Sequence, residues 1–149
     1  MFDLNTELYN FYKEHVLLPE SELTKLKDYR QRNLDRLNEG LDKLQHKHPQ
    51  RNSTQGSITM KSIVQHPEEN TSLDYDIDVA VIFRREDLPE DTLKARHHVL
   101  NGIIKGGGNF RQPPEARTNA VTVWYKEGYH VDMPVYRIYI DDYGNEVIE

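Results

Sequence analysis

Apolar residues recur at helical spacing over the first third of the chain. Leu4, Leu8, Phe11, Tyr12 and His15 share one face of a short amphipathic helix over 4–18. Pro19-Glu20-Ser21-Glu22 breaks that pattern and opens a second helix with acidic first-turn chemistry. Leu23, Leu26, Leu34, Leu37, Leu41 and Leu44 then repeat at threes, fours and their sums, which predicts a long helix over about 20–46 with one apolar stripe. Pro49 to Thr54 reads as a polar linker, and Ile58 to Val64 fits a weak strand or the start of a helix. Pro67 to Ser72 is turn-rich. Asp74 to Phe83 is the clearest strand. Pro89-Glu90-Asp91 starts another helix over about 89–104, stopped by Gly106-Gly107-Gly108. Val121–Tyr125 and Tyr129–Val135 read as strands around a Lys126-Glu127-Gly128 turn, followed by Arg137–Ile140 and a hairpin turn at Asp142–Asn145. Helices first and strands after, with one helix between them, predict an α+β fold with helices against one sheet. The N-terminal helices occupy 1–48 and the sheet-bearing core 49–149.

Composition narrows the function classes. The chain has 149 residues, enough for one domain with a real core. Its net charge of −6 leaves no strong nucleic-acid footprint. The longest apolar run, Val79 to Phe83, is far too short to cross a membrane. With no Cys there is neither a disulfide framework nor a thiolate metal site. No secretory signal is visible at Met1-Phe2-Asp3-Leu4-Asn5, and a cytoplasmic location is expected.

The order of the acids carries the chemistry. Alternation along the 74–83 strand puts Tyr75, Ile77, Val79, Val81 and Phe83 on one face, all apolar. The other face runs Asp74, Asp76, Asp78, Ala80, Ile82, so it turns into core where the acids stop. Asp76 and Asp78 therefore sit at the rim of a buried surface, where adjacent carboxylates repel and lose hydration. A divalent cation would relieve both penalties; a polar strand entry with surface acids gives the same pattern. His130-Val131-Asp132-Met133-Pro134-Val135 sets a third carboxylate in an otherwise apolar strand. An antiparallel neighbour would bring Asp132 beside Asp76 and Asp78, and three acids on adjoining strands can hold two metal ions for phosphoryl transfer. Thr54-Gln55-Gly56-Ser57, upstream, has the glycine and short hydroxyl of a phosphate cradle, although a Gly-Ser pair alone is usually a turn.

Gly56-Ser57, Asp76-Ile77-Asp78 and Asp132 together resemble the signature of the polymerase-β-like nucleotidyltransferase superfamily. With Thr54-Gln55 and the run His130 to Tyr136, the chain is similar to the bacterial cGAS/DncV-like nucleotidyltransferases, over about 20–140. The resemblance implies a polymerase-β-like core, a mixed mostly antiparallel sheet packed on a long N-terminal spine helix. It implies synthesis of a cyclic di- or trinucleotide second messenger from ribonucleoside triphosphates, with pyrophosphate release, in anti-phage defence. Asp76, Asp78 and Asp132 would hold two Mg²⁺ ions (or Mn²⁺), and Gln55, Gly56 and Ser57 would contact the donor triphosphate. Family members usually continue into a second, helical lobe; this chain ends seventeen residues after Asp132, so a missing C-terminal lobe or a regulatory partner protein is expected. Two other readings stay open. One is a minimal antitoxin-type enzyme that modifies a partner protein, which the 18 residues between Ser57 and Asp76 disfavour. The other is a nucleotide-binding or interaction fragment without turnover.

Further candidates have plainer readings. His46 and His48 suit a solvated helix end, His97-His98 a surface and packing pair, and Trp124 a core position. His130 faces the same side as Asp132, as a hydrogen-bond partner or a packed histidine. Lys61 and Arg117 are candidate triphosphate or base contacts, more simply solvated charges.

Overall fold

The computed structural model describes residues 3–56 and 76–149. The expectations for 58–64 and 67–72, and those for Ser57, Lys61, Asp74 and Tyr75, lie outside the described residues.

Helix α1 (Leu4–Phe11) is capped by Asp3, whose carboxylate accepts from the backbone N–H groups of Asn5 and Thr6. A single π-helical turn (Tyr12–Val16) continues it. Helix α2 (Glu20–Lys43) begins after Pro19, with Glu20 and Glu22 in its first turn. Its stripe is buried as the periodicity predicts: Leu26, Leu37 and Leu41 have no exposed surface and Leu34 has 4%. Helix α3 (Thr92–Gly106) starts two or three residues later than the sequence suggests, because Asp91 serves as its N-cap and accepts from Lys94 N–H at 2.8 Å.

Among the described residues seven strands form one sheet: β1 (Arg51–Gln55), β2 (Asp76–Arg84), β3 (Glu115–Ala116), β4 (Val121–Trp124), β5 (His130–Met133), β6 (Val135–Ile140) and β7 (Glu146–Ile148). Most pairings are antiparallel, as expected; β5 and β6 run parallel to β2. Asp76 lies opposite His130 and Val81 opposite Val135, so β5 and β6 keep one register along β2. They are a single strand interrupted at Pro134, which has no N–H to donate. Its carbonyl still accepts from Val81 N–H at 2.9 Å.

Two strands differ from the expectation. The proposed linker over 49–54 is largely strand β1, antiparallel to β2. Arg-Asn-Ser-Thr-Gln has no apolar alternation, and its pairing comes from backbone hydrogen bonds to a strong neighbour. The neighbour that carries Asp132 is parallel, not antiparallel. Parallel pairing needs a long crossover, which α3 and the β3–β4 hairpin provide.

The core lies between the helices and one face of the sheet. Ile77, Val79, Val81 and Phe83 meet Leu26, Leu37 and Leu41 of α2 and Val99 and Ile103 of α3. The two helices touch backbone to backbone. A Cβ on Gly40 would stand 1.7 Å from the Gly102 carbonyl oxygen, so no side chain fits there. A polar tie crosses this core: Asn33, fully buried on α2, donates to Met133 Sδ at 2.7 Å and accepts from the Tyr125 hydroxyl.

Candidate active site

The face of β2 opposite the helices carries Asp76, Asp78, Ala80 and Ile82. Ala80 is fully buried and Ile82 is 6% exposed, so the acids stand where solvent gives way to core. On β5, Val131 and Met133 enter the helix-packed core, which turns His130 and Asp132 to the acids' side. On β4, Val121 and Val123 do the same and turn out Thr122 and Trp124.

Strand register aligns these residues into two rows across the sheet. In one, Thr122 faces Asp132, Asp132 faces Asp78, and Asp78 faces Gln55 of β1. In the other, Trp124 faces His130 and His130 faces Asp76. The structure thus brings together Asp76, Asp78, Asp132, Gln55 and Gly56, whereas Ser57 lies outside the described residues. His130 Nε2 stands 3.1 Å from Asp76 Oδ1, and the Thr122 hydroxyl donates to Asp132 Oδ1 at 2.5 Å.

Desolvation and like-charge repulsion fall together on Asp78. Burial pushes its carboxyl above the ordinary carboxylate range, and the neighbouring Asp132 and Asp76 push it further; His130 acts in the opposite sense. Gly56 follows β1 at φ +66°, and a Cβ there would lie 2.3 Å from Asp78 Oδ2. Glycine is thus required both for the turn and for close approach of the backbone to this carboxylate.

As the side chains stand, no three His, Asp or Glu among the described residues close to metal-binding geometry. Asp76 is engaged with His130, and both Asp76 and Asp132 repel Asp78. The donor set nevertheless suits a hard divalent cation. It offers oxygen ligands on adjoining strands, one of them held at an unfavourable charge that a cation would relieve.

Sequence reasoning missed Thr122. Its signal is a lone hydroxyl in the apolar run Val121-Thr122-Val123, opposite the lone acid of β5. Trp124 departs from its core expectation: it is half-buried, with the Arg117 guanidinium 5.4 Å from its ring centroid. An open hollow of about 290 Å³ lies beside Asp132, lined by Thr122 and by Arg117 to Ala120. His46 stacks on His98 at 4.3 Å and His48 pairs with Asp42 at 2.7 Å, so the helix-end histidines have local packing roles.

Residues 50–136 match the family described as cyclic GMP-AMP synthase DncV-like, nucleotidyltransferase domain. No curated protein matches the chain. Among solved structures, it is similar to Escherichia coli MS115-1 CdnC in its complex with HORMA-deltaN, at 21% identity and a TM-score of 0.68, over 97% of this chain and 46% of that one. It is similar to Bradyrhizobium diazoefficiens CdnG in complex with GTP, at 18% identity and a TM-score of 0.58, over 90% of this chain and 37% of that one. Vibrio cholerae DncV cyclic AMP-GMP synthase, in complex with nonhydrolyzable GTP, matches at 15% identity and a TM-score of 0.57, over 87% of this chain and 49% of that one. The chain spans about half the length of these structures or less. On the match to more than half of its length, the chain belongs to the family of DncV-like nucleotidyltransferase domains.

Proposed function

We propose that this domain transfers nucleotidyl groups between ribonucleoside triphosphates and builds a cyclic oligonucleotide, releasing pyrophosphate. The observation that carries the reading is the register that sets Asp78 opposite Asp132, with Asp76 two residues away on the same face. The family match and the likeness to nucleotide-bound CdnG and DncV support it. Residues 1–48 serve as a helical spine and 49–149 as the catalytic core.

In the reaction an acceptor 3′- or 2′-hydroxyl gives up its proton to solvent as its oxygen bonds to the donor α-phosphorus, and the bond from that phosphorus to the bridging β-phosphate oxygen breaks, releasing pyrophosphate. Asp76, Asp78 and Asp132 would hold two Mg²⁺ ions, or Mn²⁺ in their place. When bound, the ions supply charge neutralisation at the attacking and leaving oxygens. The chain's part is positioning. Asp78 and Asp132, fixed on paired strands, hold their oxygens without rearrangement during reaction. Gly56 lets the backbone after β1 come close to this centre, and Gln55 and Ser57 contact the donor triphosphate. The product acts as a second messenger in anti-phage defence, made in the cytoplasm; among the described residues no helix is long and apolar enough to cross a membrane. A further lobe or regulatory partner completes the nucleotide cleft, as the share of each matched structure that this chain covers suggests.

The test is incubation of the protein with all four nucleoside triphosphates and Mg²⁺ or Mn²⁺, with products identified by mass. A phosphatase-resistant small product is expected. Label from ATP appearing only on protein would replace this reading with a protein-modifying one, and tight nucleotide binding with no pyrophosphate release would replace it with a binding role.

A further inference from the structure

Thr122 is one of three buried polar or charged residues among those described, 2% exposed, on a strand whose neighbours Val121 and Val123 are fully buried. A valine would have the same shape there and would carry no polar atom into the sheet. A hydroxyl removed from water needs a partner, and the one it has is Asp132 Oδ1, at 2.5 Å across the β4–β5 pair. Among the described residues Asp132 Oδ2 has no hydrogen-bond partner.

Asp132 has a reason to need this contact. It directly faces Asp78, with Asp76 close by, so like-charge repulsion favours rotamers that carry its carboxylate away from the other two. A charge-assisted hydrogen bond from a rigid strand opposes that rotation. Threonine is suited to the task, because its branched Cβ restricts χ1 and the strand fixes its backbone.

From this we infer that Thr122 is the positioning residue for the third carboxylate. Its hydroxyl anchors one oxygen of Asp132 on the β4 side and so limits how far the other can swing from Asp78 when a divalent cation draws the acids together. The inference rests on the proposed two-metal site. In this role Thr122 acts through Asp132.

Mn²⁺ binding to the full chain without nucleotide, read by the loss of the free-ion electron paramagnetic resonance signal, tests this. Thr122→Val and Thr122→Ala should each weaken Mn²⁺ binding roughly 10-fold or more, the usual scale for removing a hydrogen-bond partner of a metal ligand. Thr122→Ser, which keeps the hydroxyl, should stay within about twofold of the parent on the same scale. Thermal melting of each variant separates folding from positioning. A merely structural threonine would show Thr122→Ser and Thr122→Val losing affinity in proportion to lost stability, and that result would overturn the inference. Asp132→Asn is the reference. If it abolishes Mn²⁺ binding while Thr122→Val leaves binding intact, the role given to Thr122 is wrong and the metal site stands. If Asp132→Asn itself binds Mn²⁺ normally, the metal-site reading is wrong and this inference goes with it.

Discussion

Asp78 concentrates the conflict between stability and chemistry in this domain. It is half-buried, faces Asp132 on the next strand, and has its carboxyl pushed up by burial and by two like charges. An acid whose folded-state affinity for protons exceeds its unfolded one makes the fold less stable as pH rises through the carboxylate range. Asp78→Asn should therefore raise the melting temperature of the metal-free protein at neutral pH, measured in chelator. The same change should lower turnover at least about 10²-fold, the scale on which a preorganised electrostatic element is lost. An Asp78→Asn variant with full Mg²⁺-dependent activity would sink the assignment of this carboxylate. Gly56 poses the complementary case. It is exposed, at φ +66°, with space for a Cβ closed off by Asp78 Oδ2. Gly56→Ala should displace either the turn or the carboxylate, so nucleotide affinity should fall well before stability does. Titration of a fluorescent ATP analogue beside a thermal melt would compare the two.

At the scale of elements, α2 is held near its C-terminus and at its middle. Near its C-terminus it meets α3 through glycines, where a Cβ on Gly40 would overlap the Gly102 carbonyl. Gly40→Ala has to push two backbones apart, and a cost of about 1–3 kcal/mol is expected from overpacking, read by denaturant unfolding. Farther along the same pair of helices His98, half-buried and stacked on His46, has its pKa lowered by burial first and by the His46 charge second, against a smaller opposite effect from Asp87. The unfolded chain thus takes up a proton that the folded one resists. Stability should drop as pH falls from about 6.5, the unperturbed histidine value. A His98→Phe variant should flatten that part of a stability-versus-pH curve; an unchanged slope would mean that other groups set it. Toward the middle of α2, Asn33 joins the helix to Met133, the residue after Asp132, and to Tyr125, the residue after β4. The spine is in this way tied to the two strands that carry Thr122 and Asp132.

At the scale of the molecule, the strongest patterns in the sequence survive in the fold for reasons that can be named. The α2 stripe is legible because Leu26, Leu34, Leu37 and Leu41 answer to the same core, and β2 because one of its faces is wholly apolar. The acids of β2 are legible as a site because Ala80 and Ile82 continue their face into the interior. What could not be read is what depends on partners distant in sequence. Strand β1 is polar and pairs only because β2 offers its edge; the direction of β5 is set by the crossover; Thr122 acquires meaning only once Asp132 lies opposite it. These same long-range pairings make the site a property of the folded domain, which gives it a thermodynamic signature. A ligand that binds the folded form alone stabilises it by about 2.7 kcal/mol at a hundred times its dissociation constant. For a domain of this size that corresponds to a rise of roughly 5–11 °C in Tm. Mg²⁺ with a non-hydrolysable triphosphate should produce such a rise in the parent protein, and neither component alone should match it, since each supplies charge that the other needs. Asp76→Asn and Asp132→Asn should each remove most of the metal-dependent part while leaving the unliganded Tm unchanged or higher. An equal rise in parent and variants would place the nucleotide somewhere other than on these three acids.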